Sequence, residues 1–183
     1  MSRIPPPERY GAVAQAFHWL TALLVLAAFV YGPGGSEQRV YSAARDFDRQ
    51  LHETLGLTVL AVVLLRLLWR AVDTRPEPPG IPRWMHLASR AVQGLLYALL
   101  LALPVTAVTG AWLEGHPLTL LAGVRIPPPL AESHDLGRTI ASLHGWLGDA
   151  VMWVAGFHAA AALYHHFVLR DGVLRSMLPR LGP

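Results

Sequence analysis

The sequence predicts an all-α fold, an integral membrane four-helix bundle with both termini cytoplasmic, and three observations carry that prediction. The 183-residue chain is 53% hydrophobic and only 15% charged, with a mean hydropathy of +0.37. It contains four apolar runs of roughly the 20 residues that a helix needs to cross a bilayer. Between these runs stand glycine- and proline-rich segments that end helices.

The first predicted helix covers 12–31 (AVAQAFHWLTALLVLAAFVY). Arg3 and Arg9 before an apolar run also occur in secretory signal peptides. Here the run is long, holds His18 and Trp19, and lacks a small-residue cleavage site, so it reads as a retained span. GPGG at 32–35 ends it, and the second helix follows at 51–70, closing on Arg66 and Arg70. The segment PEPPGIP at 76–82 cannot continue a helix and is expected to form a cytoplasmic loop. The third helix covers 87–113 and the fourth 142–169. The connection between them, about 114–141, carries PPP at 127–129 and is expected to hold some short structure of its own. No repeat or second domain is visible, so residues 1–183 read as one transmembrane domain.

Orientation follows from charge. The side with the termini collects ten arginines against four carboxylates (Glu8, Asp73, Glu77 and Asp171), and the opposite side five arginines against eight carboxylates. The arginine excess places both termini in the cytoplasm of a multi-pass inner-membrane protein. Membrane lipid is the expected surrounding, and no nucleic-acid partner is expected. The absence of cysteine excludes disulfides, iron–sulfur clusters and thiolate metal sites. All fifteen basic residues are arginine, which reads first as a coding bias.

The histidines point to chemistry. An ionisable side chain inside a span is costly and marks a functional site by default. His144 and His158 stand fourteen residues apart on the fourth helix. That is about four turns, so both lie on one face, roughly 21 Å apart along the axis. Helix direction puts His52, at the outer start of the second helix, level with His144, and puts His18 level with His158. Two imidazoles from facing helices at one level can hold a haem iron on both axial sides. Gly56, Gly145, Gly148, Gly156, Ala159 and Ala160 offer room for a flat macrocycle. Two depth-matched pairs outweigh simple interhelical polar contacts, and a zinc or proton-relay site is the alternative. His165 and His166 read as interfacial anchors or as helpers to a haem propionate. His86, His116 and His134 read as solvated. For Arg66 and Arg70, interfacial anchoring is preferred over pairing with propionates.

The segments FHWLTALLVL, HETLGLTVLAVVLLRLLWR, LYALLLALPVTAVTG and LHGWLGDAVMWVAGFHAAAALYHHFVLRDGVLRSMLP resemble the bacterial cytochrome b561 family of four-helix dihaem membrane proteins. The resemblance covers nearly the whole chain and is most specific in the last segment. It implies two haem b groups held by His18, His52, His144 and His158, paired His18/His158 and His52/His144. It further implies quinone-linked electron transfer across the inner membrane, with superoxide oxidised at the periplasmic face and ubiquinone reduced. Members often carry a histidine four residues before the third-helix tyrosine, whereas Gln93 precedes Tyr97 here.

Superoxide is a small anion, and Arg45, Arg49, Arg125 and Arg138 are the external cations available to concentrate it. Gln15, Gln93, Thr106 and Thr109 are polar groups available to a quinone, and each is equally explained by hydrogen bonding between helices. The alternative function is a non-enzymatic haem anchor that relays electrons between quinol and a partner oxidoreductase.

Overall fold

The computed structural model describes residues 9–73, 82–121 and 123–179. Most of the proline-rich 76–82 loop lies outside these residues, as do Arg3, Arg75, Arg180, Glu8 and Glu77. In chain order the elements are α1 (Ala12–Val30), the short α2 (Glu37–Val40), a 3-10 turn (Ala43–Arg45), α3 (Asp46–Val72), α4 (Arg83–Leu113), β1 (Leu118–Thr119), β2 (Arg125–Ile126), α5 (His134–Tyr164), a π turn (His165–Leu169) and α6 (Val173–Met177). The four long helices α1, α3, α4 and α5 are each long and apolar enough to cross a membrane.

Three of these helices begin earlier than the apolar runs suggest: α3 at 46 against 51, α4 at 83 against 87, and α5 at 134 against 142. In α3 and α5 the added N-terminal turns carry polar residues. Asp46 and Asp48 in α3 and Asp135 in α5 stand in the first turn, where carboxylates complement the positive end of the helix dipole. The apolar run marks the part suited to lipid, and the helix itself extends beyond it. The connection before α5 does hold structure of its own, an antiparallel pair in which Leu118 faces Ile126 and Thr119 faces Arg125.

The bundle is assembled from two hairpins. α1 packs chiefly on α3, and α4 chiefly on α5, with a lighter α3–α4 contact between them. The α4–α5 crossing is close because two glycines face it. A Cβ on Gly110 would stand 3.1 Å from the Ala141 backbone nitrogen, and one on Gly137 would stand 3.1 Å from the Glu114 nitrogen. The central buried cluster is Val59, Val63, Leu99, Leu100 and Val151, drawn from α3, α4 and α5, with Leu24 and Val25 of α1 packed against it. Outward-facing positions are large and apolar, among them Leu23, Leu68, Trp146, Trp153 and Phe157, which is the exposure pattern lipid favours.

The two ends of the described chain meet. The Tyr10 N–H donates to the Ser176 carbonyl at 3.1 Å, and the Gln15 amide donates to both Tyr10 O and Ser176 O. The Trp19 indole N–H donates to Met177 O at 2.9 Å. The first and last helical segments therefore lie at one end of the bundle.

Candidate functional site

α5 packs on α4 and makes no comparably close backbone approach to α1 or α3. Two histidine pairs bridge that gap. The His52 ring of α3 and the His144 ring of α5 have centroids 6.0 Å apart, and the His18 ring of α1 and the His158 ring of α5 have centroids 6.3 Å apart. The structure thus brings together all four histidines in the pairing that depth predicts. A metal–imidazole bond of about 2 Å on each side, plus the reach from each nitrogen to its ring centre, spaces two trans imidazoles at roughly 6 Å. Both separations fit one iron between two rings.

At the His52/His144 level the rings are aimed. His52 Nδ1–H donates to Ala28 O of α1 at 2.7 Å, and His144 Nδ1–H donates to Leu103 O of α4 at 2.9 Å. With Nδ1 carrying the proton, each Nε2 keeps its lone pair for a metal, which is how outer hydrogen bonds orient histidine ligands. Thr106 Oγ1, bonded to Ala102 O and Leu103 O, stands 3.5 Å from His144 Nδ1. The pair lines an apolar cavity, walled also by Val25, Gly56, Leu100, Val108 and Gly148, and cofactor sites are concave and mostly apolar in this way. A Cβ on Gly56 or Gly148 would meet nothing within 4 Å. These two predicted small residues face open space, and so do Gly145 and Gly156.

The His18/His158 level is built differently. His18 Nδ1 stands 3.3 Å from Arg66 Nη2, and Trp19 lies edge-on to the His18 ring at 5.1 Å. Arg66 and Arg70 both sit over the Tyr97 ring, at 5.3 and 5.6 Å. Arg66, for which interfacial anchoring is the preferred reading, is half-buried and also meets an imidazole and an aromatic face. The sequence carried a usable signal: Arg66 follows His52 by fourteen residues, the same interval that separates His144 from His158.

Other candidates fall out as follows. Gln15 is buried and committed to the contact between the chain ends. Gln93 bonds Ser89 within α4, and Thr109 is half-buried on α4. Among the external cations, Arg45 pairs with Asp48, Arg138 with Asp135, and Arg49 with both Asp46 and Glu53. Three of the four thus have their charge met by carboxylates. His165 pairs with Asp171 through Nδ1, and His86 lies in the first turn of α4. His134 is largely exposed, as expected, but His116 is not simply solvated. It stacks on Tyr41 at 3.5 Å, and its Nε2 lies 2.8 Å from Glu37 Oε1.

Comparison with known proteins identifies the family. The family model described as prokaryotic cytochrome b561 matches residues 9–180. The chain is 31% identical over 179 residues to cytochrome b561 homolog 2 of Escherichia coli K12, covering 97% of this chain and 95% of that protein. It is 29% identical over 184 residues to a Yersinia pestis protein named probable superoxide oxidase CybB, covering 94% and 97%. It is also 31% identical over 178 residues to cytochrome b562 of Cereibacter sphaeroides, covering 93% and 96%.

Proposed function

The chain belongs to the prokaryotic cytochrome b561 family of haem-binding electron-transfer membrane proteins, and from that premise we propose that it carries two haem b groups and moves electrons from superoxide at the periplasmic face to ubiquinone. His52 and His144 would hold one group, and His18 and His158 the other. The observation behind this reading is the pair of imidazole couples, 6.0 and 6.3 Å between centroids, spanning helices whose backbones make no close approach comparable to that of α4 and α5.

Bound haem supplies one-electron exchange at its iron; the protein residues set everything around it. The Ala28 and Leu103 carbonyls fix the His52 and His144 tautomers and aim both Nε2 atoms into the cavity. A haem held by two histidines would be suited to electron transfer over oxygen binding. Arg66 and Arg70 supply positive charge at the inner level, where propionates can pair with them. Each superoxide gives up one electron and leaves as dioxygen, and ubiquinone takes up two electrons with two protons to become the quinol. Both termini lie in the cytoplasm, following the arginine distribution.

The paired state of Arg45, Arg49 and Arg138 favours a second reading, a haem anchor relaying electrons between quinol and a partner oxidoreductase. One experiment separates the two. Purified protein is assayed for haem content and for reduction by superoxide, quinol and ascorbate. The enzyme reading expects two low-spin b-type haems per chain, rapid reduction by superoxide, and reoxidation by ubiquinone. One haem per chain overturns the paired-site assignment. Failure of superoxide to reduce the protein, with a stoichiometric partner subunit copurifying, establishes the anchor.

A further inference from the structure

Outside the bundle, the connections at the outer end bring three chain segments to one point. Glu37 comes from α2, Glu114 from the residue capping α4, and His116 from the loop that follows. One donor atom from each lies within 4.8 Å of the others. The Glu114 residue is only 8% exposed, and its carboxylate has no hydrogen-bond or ion-pair partner among the described residues, yet it is aimed at the other two groups. A carboxylate with little access to water and no partner is costly to keep charged. Burial, and then the neighbouring Glu37 carboxylate, push the Glu114 carboxyl up from its ordinary range. A cation at the meeting point removes that cost.

We infer that Glu37, Glu114 and His116 form a binding site for a divalent transition-metal ion of the zinc class. Imidazole with carboxylates suits such ions, whereas calcium takes about 6–8 oxygen ligands. Three protein ligands leave the fourth position of a tetrahedral ion to water. Donors bound at about 2.1 Å stand roughly 3.4 Å apart in a tetrahedron, and the present separations, all within 4.8 Å, bracket that value. His116 Nε2 is already turned to the meeting point, and the Tyr41 ring stacked at 3.5 Å holds the imidazole plane. Binding exchanges the Nε2 proton for the metal and ties α2 and the following loop to the end of α4.

The test is zinc uptake by the haem-loaded full chain in detergent, after chelator treatment and desalting. We expect one zinc per chain beyond the haem iron, bound at micromolar concentration or tighter. His116→Ala and Glu114→Gln should each weaken it at least tenfold, and His134→Ala should leave it unchanged. An unaltered visible haem spectrum in the variants shows that the loss is local. If either of them loses that spectrum, Glu37→Gln, at a partly exposed side chain on α2, gives the same comparison. The inference fails if the wild-type protein takes up no zinc, if the variants bind as it does, or if His134→Ala alone abolishes uptake.

Discussion

The two histidine pairs share one helix and nearly one spacing, but their rings are held by different means. At the His52/His144 level, backbone carbonyls from two neighbouring helices hold the rings. A carbonyl in a helix cannot swing away, so both imidazoles are fixed in the tautomer that binds iron. At the His18/His158 level, the neighbour is the Arg66 guanidinium. Arginine can only donate, so in that contact His18 Nδ1 accepts and its proton sits on Nε2. Ligation through Nε2 requires the opposite tautomer, with the guanidinium turned aside, for which propionate oxygens are a suitable destination. One site is preorganised by the fold, and the other is completed when its ligand arrives.

The sharpest way to break this comparison is to remove one ligand from each level. His144→Ala should lower haem content from two per chain to about one and leave the inner spectrum, while His158→Ala should do the converse. Pyridine haemochrome assay with redox titration checks both. Two haems with unchanged spectra in both variants would mean that the pairing is wrong.

Glycines give the next largest effects, and of two kinds. Gly148→Leu should fill open space beside His144 and displace the outer haem while the helix content persists. Gly110→Ala drives a Cβ onto the Ala141 backbone and should destabilise the whole bundle by about 1–3 kcal/mol, lowering the thermal midpoint of the helical circular dichroism signal. Equal effects at both positions would erase the distinction between a cofactor cleft and a helix crossing.

Arg66→Leu tests the inner level directly. Loss of a nearby positive charge disfavours the reduced haem, so the inner midpoint potential should fall by up to roughly 60 mV, equivalent to about 1.4 kcal/mol, with the outer potential unmoved. A shift of the outer potential alone would place Arg66 in the wrong half of the molecule. The smallest effect belongs to Thr106→Val, which removes only a hydroxyl 3.5 Å from His144 Nδ1. Both haems should be retained, with a change of a few millivolts at most.

Much of this was legible in the sequence for simple reasons. Depth in a membrane is a linear coordinate, and helices convert residue number into depth, so His18, His52, His144 and His158 could be matched by counting. The hairpin pairing of α1 with α3 and α4 with α5 could not, because lipid-facing and helix-facing positions are both apolar. Gly110 looked like any other membrane glycine and Gly137 like a residue of the connection, and only the crossing distance shows that neighbouring atoms fill the place of their missing side chains. The Ala28 and Leu103 carbonyls are backbone groups, invisible to any reading of side chains. His116 was misread as solvated because its partners, Glu37 and Tyr41, lie more than seventy residues away in the chain.

The buried cluster of Val59, Val63, Leu99, Leu100 and Val151 separates the two levels with side chains that carry no titratable group. An electron can tunnel through such a layer, but a proton finds no group there to carry it. If the two proposed haems exchange electrons, charge passed between the levels is uncompensated, and it crosses roughly 21 Å of a hydrocarbon core about 30 Å thick. Against a potential of about 100 mV that displacement is worth roughly 1.6 kcal/mol per electron. On the proposed two-haem reading, the valine–leucine layer would act as the dielectric of a small capacitor, coupling turnover of the protein to the voltage of the membrane in which it sits.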